Sequence, residues 1–189
     1  MHFRVLLASV ALALPLSALA DDHQHSLGAH VHGLGTLNIA LENQRLELQL
    51  TSPAMNIVGF EYQPTTAADL QSIKAAQSNL SHAAELFVLS PAAQCRLTSV
   101  SIDNPLLTES DTHEHEHESQ PTAQITEHQH SDISAHYQYH CAKPARLNSI
   151  DLAGLFKQFS QTEKIQVQLI AGDHQQGAEL SAKNTLLSW

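Results

Sequence analysis

The sequence predicts an α+β fold, a mainly antiparallel sheet with a few short helices on one face and a long disordered histidine-rich hairpin loop. Three observations carry this expectation. Segments with strict two-residue apolar alternation recur along the chain, the stretches with helical spacing are short, and two strand-like segments flank a long run with few apolar side chains.

The chain opens MHFRVLLASVALALPLSALA, with Arg4, an apolar run over residues 5–16 and the small-residue signal Ala18-Leu19-Ala20. That is the pattern of a cleaved secretory signal peptide over residues 1–20, so an exported, soluble chain is expected to start near Asp21. No later segment reaches the roughly 18 apolar residues that a membrane-spanning helix requires. Residues 21–189 are expected to form one domain, long enough for a sizeable core.

VHGLGTLNIALE (31–42) and RLELQLT (45–51) alternate apolar and polar positions around the turn Glu42-Asn43-Gln44, which reads as a β-hairpin ended by Pro53. From Thr66 to Leu80 the apolar spacing becomes three or four, with Thr66 and Asp69 placed as an N-terminal cap. A second short helix is expected over residues 81–87, before Ser90-Pro91. CRLTSVSID (95–103) and ISAHYQYHC (133–141) read as strands. If they pair with Cys95 opposite Cys141, then Leu97 faces Tyr139, Ser99 faces Tyr137 and Ser101 faces Ala135. Their loop would be residues 104–132. Residues 151–159 read as a short amphipathic helix and KIQVQLI (164–170) as another strand, with a turn at Gln176-Gly177 into a last short strand through Leu180.

Charge narrows the function classes. The chain carries 9 Lys and Arg against 19 Asp and Glu, net −10, and loss of Arg4 with the signal peptide would make this −11. Such a balance repels nucleic acid and anionic lipid and suits cations, so neither nucleic-acid binding nor membrane insertion is expected. Two cysteines in an exported chain predict one disulfide, Cys95 to Cys141, with neither sulfur left as a nucleophile.

The histidines point to metal. Nine of them fall in His-x-His units: His23/His25, His30/His32, His113/His115/His117 and His128/His130. On an extended backbone each unit presents two imidazoles on one side, and three or four such donors complete a zinc site. The interleaved Glu114 and Glu116, with Glu118 and Glu127, supply oxygen ligands or an attracting field. Residues 104–132 carry seven acids and no Lys or Arg, so the insert is expected to be mobile without metal and to close on an ion reversibly. His30 and His32 stand at the start of a strand, which suggests a more rigid site with His23 or His25. His136 and His140 are weaker candidates, and His82 and His174 stand alone. His113-Glu114-x-x-His117 matches the zinc-protease pattern in form, but that motif needs an apolar-backed helix and its flanks here are polar. No enzyme activity is expected.

HQHSLGAHVHG, GTLNIALENQRLELQLTSPAMNIVGFEYQP, LFVLSPAAQCRL, the His/Glu-rich insert, HYQYHCA and QVQLIAGDHQQGAELSAKNTLLSW together resemble the ZrgA-like family of bacterial periplasmic zinc-uptake proteins. The similarity runs through nearly the whole mature chain, and SPAMNIVGFEY (52–62) is its most specific part. The resemblance implies a Gram-negative periplasmic protein that binds Zn(II) and supports import by a high-affinity ABC-type transporter, whose periplasmic receptor would take the ion. It puts metal on His113, His115, His117, His128 and His130, and with them the leading His23, His25, His30 and His32. The residues themselves give 52–62 no role beyond a fold-defining turn. Two alternatives stay open from composition: copper or nickel sequestration, since imidazole suits those ions too, and an envelope interaction domain with a pH-sensitive histidine arm.

Overall fold

The computed structural model describes residues 31–107 and 131–189. Their alternating segments become β1 (Leu34–Glu42) and β2 (Arg45–Pro53), joined through Asn43 and Gln44. Opposite pairs Leu37 and Leu50, Ile39 and Leu48, and Leu41 and Leu46 share one face, which the period of two requires. Pro53 ends β2 and the chain turns at once into α1 (Ala54–Val58), an element without a periodic signal of its own.

Next come α2 (Ala67–Ser81), α3 (Ala83–Leu86) and the short β3 (Val88–Leu89). The expected cap of α2 forms in full. Thr66 Oγ1 accepts from the Asp69 amide at 3.1 Å, and Asp69 Oδ2 accepts from the Thr66 amide at 3.0 Å. These bonds satisfy two groups that a bare helix end would leave orphaned.

β4 (Cys95–Asp103) and β5 (Asp132–Cys141) pair antiparallel with Cys95 opposite Cys141, and the two sulfurs are bonded. Leu97 faces Tyr139 as expected. Beyond it the expected register fails: Ser99 faces Gln138, Val100 faces Tyr137, Ser101 faces His136 and Ile102 faces Ala135. The cause is a bulge at Thr98, whose hydroxyl donates to the Gln138 carbonyl at 2.9 Å. One extra residue turns Val100 and Ile102 toward the core in place of two serines.

β6 (Ser149–Asp151) leads into α4 (Ala153–Gln158), then β7 (Lys164–Ala171), β8 (His174–Ser181) and β9 (Leu186–Ser188). The expected turn at Gln176-Gly177 is wrong. The chain reverses at Gly172 and Asp173, because Gly172 holds the left-handed φ of 59° that a tight reversal needs, while Gly177 lies within β8 opposite Gln168.

Six strands form one sheet in the order β4-β5-β2-β1-β7-β8, and β3-β6-β9 form a second, smaller one. Neighbours in the large sheet are antiparallel except β1 and β7, which run parallel from Leu34 beside Lys164 to Leu41 beside Ala171. One face of the large sheet is buried, through Leu37, Leu48, Ala135, Tyr137 and Val167 among others. Ile73 and Leu80 of α2, Leu86 of α3, Ile150 of β6, Leu155 and Phe156 of α4 and Leu187 of β9 share that core. The helices and the small sheet therefore cover one face, and the other stays polar and solvated. Among the described residues, no helix is long and apolar enough to cross a membrane.

The register decides which ends meet. Leu34 opens β1 at the level where β2 closes on Pro53, Pro53 stands opposite Asp132 at the start of β5, and Asp103 at the end of β4 stands opposite Ser134. The Ala54 amide also donates to the Ser131 carbonyl at 2.7 Å. Described residues next to 30, 108 and 130 thus lie at one end of the sheet.

Candidate metal centre

At that end the entry to β1 is held by side chains from the turn after β2. Asn56, 2 % exposed, accepts from the Gly33 amide through Oδ1 at 2.7 Å. Its Nδ2 donates to the Leu34 carbonyl at 3.3 Å and to Ser52 Oγ at 3.0 Å. Gly33 has φ +85°, a conformation that costs any residue with a Cβ, and a Cβ there would come within 3.1 Å of the Glu163 side chain. The Glu163 and Lys164 amides both donate to the Gly33 carbonyl, at 2.8 and 2.9 Å. The residue before Gly33 is therefore carried on a backbone fixed from two sides.

That residue is His32. Its Nε2 lies 3.2 Å from Oε1 of Glu61, with the histidine side chain 51 % exposed and the glutamate only 14 %. Glu61 follows α1 and sits between Phe60 and Tyr62, whose rings stack at 4.7 Å. Tyr62 in turn donates to Asp69 Oδ1 at 3.5 Å, next to the cap of α2. Lost solvation pushes the Asp69 carboxyl up, but the Thr65 and Thr66 amides and the Thr66 and Tyr62 side chains together outweigh it and hold the group below the usual carboxylate range.

Eight of the nine expected histidine ligands, His23, His25, His30, His113, His115, His117, His128 and His130, lie outside the described residues. Among the described residues, no group of three or more His, Cys, Asp or Glu is arranged to hold a metal. His136 is on the solvated face, its Nε2 3.9 Å from Glu47 Oε2, and Glu47 is also paired with Arg45. His140 stands across from Arg45 on one side and Arg96 on the other, two cations that oppose a third. His82 Nδ1 is 2.6 Å from the Ser78 carbonyl at the end of α2, and His174 Nε2 is 3.1 Å from Gln176 Oε1. Glu61 and Asn56 have no counterpart among the expected ligands. An isolated acid between two aromatics carries no spacing signal, and its approach to His32 is a tertiary contact across residues far apart in the chain.

Residues 29–189, which include the clamped β1 entry, the Ser52–Asn56 pair and both disulfide cysteines, match the model described as ZrgA family zinc uptake protein. The chain belongs to this family. Its description is one of uptake and not of catalysis, and it associates the ZrgA-family chain with zinc. No curated protein matches the sequence significantly. In this ZrgA-family fold, residues 52–62 tie the head of β1 to the turn after β2 and bring an acid to the histidine there.

Proposed function

We propose that the protein is a periplasmic zinc-binding protein that captures Zn(II) and supports its import by a high-affinity ABC-type transporter. The ligands in this reading are His113, His115, His117, His128 and His130 of the insert, with His23, His25, His30 and His32 from the leading tract. Signal-peptide cleavage near residue 20 delivers the chain to the periplasm, and the transporter's periplasmic receptor takes the ion from it. Membership of a zinc-uptake family supports the cargo. The observation that carries the reading is the common end of the sheet, where β1 begins, β4 ends and β5 begins. Two histidine-bearing stretches, remote in sequence, join the scaffold there, so donors from both can reach one ion without moving the core. A net negative chain with 14 histidines favours a divalent cation over an anionic cargo.

The test is calorimetric titration of the mature chain with Zn(II), Ni(II) and Cu(II), repeated after deletion of residues 112–130. Tight zinc uptake that falls in stoichiometry on deletion is expected. Uptake untouched by the deletion would move the site away from the insert, and absence of uptake would leave the pH-sensitive contact domain. Exclusive preference for Cu(II) or Ni(II) under competition would favour sequestration of those ions. Loss of growth under zinc starvation when the gene is removed would tie the binding to import.

A further inference from the structure

We infer that Glu61 is a zinc ligand, and that its Oε1 and His32 Nε2 together hold one edge of a metal site at the head of β1. This inference rests on the zinc-binding reading above and adds a residue from outside the histidine tracts. Ligand atoms on a tetrahedral zinc at 2.0 to 2.1 Å lie about 3.3 Å from one another. The two side-chain atoms are 3.2 Å apart. The spacing of the two atoms therefore matches an edge of a zinc tetrahedron, with the ion on the Nε2 lone pair of the imidazole tautomer that carries its proton on Nδ1.

The pair is built rather than incidental. His32 precedes a glycine whose amide is pinned by the buried Asn56 at 2.7 Å and whose carbonyl accepts from two amides of the β7 entry. Glu61 is confined from its own side by the buried Phe60 and by the Phe60–Tyr62 stack. Prior confinement lowers the entropic cost of ordering two ligands when the ion arrives. Two ligands from the described scaffold leave two tetrahedral positions for further donors, from the histidine tracts while the ion is held and from a receptor as it is passed on. The half-buried carboxylate adds charge where the field is least screened by solvent.

Zinc affinity of the mature chain, read by competition with a chromogenic chelator, tests the inference. His32→Ala, Glu61→Gln and Glu61→Ala are each expected to weaken one ion at least tenfold, whereas Glu61→His, which restores a donor, keeps it. His174→Ala, at the start of β8 on the opposite end of the sheet, is the control that should bind as wild type. Circular dichroism confirms that each variant folds. A measurement on the unaltered chain covers the case where Glu61→Gln does not: zinc should slow both carbethoxylation of His32 and carbodiimide coupling of Glu61, read by mass spectrometry. Wild-type zinc binding with unchanged affinity in Glu61→Gln, or zinc-independent labelling of Glu61, overturns this inference and leaves the zinc-binding reading intact. A wild-type chain that takes up no zinc overturns both.

Discussion

Tyr137 and Tyr139 sit two residues apart on the buried face of β5, and the structure treats their hydroxyls differently. Tyr137 donates to the Leu80 carbonyl at 2.9 Å, satisfying a group in the last turn of α2, and its ring meets Phe87 edge-on at 5.2 Å. The Tyr139 hydroxyl is buried with no hydrogen-bond partner among the described residues. Tyr137→Phe should therefore lower stability by about 1 to 2 kcal/mol, because it strands a buried carbonyl, while Tyr139→Phe should be neutral or slightly stabilising. Urea midpoints of the two variants check this contrast. Burial pushes the Tyr139 phenol up to about 12 and raises Tyr137 further, where the neighbouring Tyr139 adds a second, smaller push. The unfolded chain ionises first, near pH 10, so the folded state holds the extra protons above that point. Their stabilising effect is complete below pH 10 and is lost as pH rises toward 12 and beyond. Urea midpoints should fall over that range, and less steeply in Tyr139→Phe. Asn56 gives a third expectation at this scale. Asn56→Leu leaves the Gly33 amide, the Leu34 carbonyl and Ser52 Oγ short of a partner, and a loss of about 2 to 4 kcal/mol is expected by chemical denaturation.

At the level of elements, β5 explains why the long insert is tolerable. It is bonded on both sides, to β4 and to β2, so its placement does not depend on the connection that precedes it. The disulfide joins β4 and β5 at the end opposite the insert, between residues separated by 46 positions. A cross-link over such a span restricts the unfolded chain by about 4 kcal/mol on the chain-entropy account. The double variant Cys95→Ala, Cys141→Ala should keep the fold, since the β2–β5 ladder survives, but lose about 2 to 4 kcal/mol. Equilibrium unfolding with near-ultraviolet circular dichroism separates lost stability from lost structure. The bulge at Thr98 belongs to the same scale: alternation read straight through β4 puts Ser99 and Ser101 inside, and one inserted residue puts Val100 and Ile102 there instead. No local propensity announces such a bulge, because its benefit comes from the partner sheet face.

For the whole molecule, the sheet collects at one end the start of β1, the end of β4 and the start of β5, with the Gly33 turn beside them. Zinc held at that end, as proposed above, would bind the native state in preference to the unfolded chain, so it should stabilise the native state by mass action. At free zinc a hundredfold above the dissociation constant, the gain is about 2.7 kcal/mol, and thermal scans should show a midpoint that climbs with zinc and falls back with chelator. A midpoint indifferent to zinc in a chain shown to bind it would mean that the ion is held away from the folded scaffold. The parallel contact between β1 and β7 is what brings the β7 entry, Glu163 and Lys164, onto Gly33.

Much of this was legible from residue order because its causes are local. The period of two set the faces of β1, β2, β5 and β7, Thr66 and Asp69 set the start of α2, and the even cysteine count in an exported-looking chain pointed to Cys95 and Cys141. The density of paired histidines pointed to metal on chemical grounds alone, and family membership agrees with zinc as the cargo. Tertiary structure decided the rest. The parallel β1–β7 pairing, the small sheet of two- and three-residue strands, the turn at Gly172 and the Glu61 carboxylate beside His32 all depend on contacts between distant segments. Such contacts are selected by burial and by satisfying backbone groups across the whole fold, and neither of those is a property of any short stretch of chain.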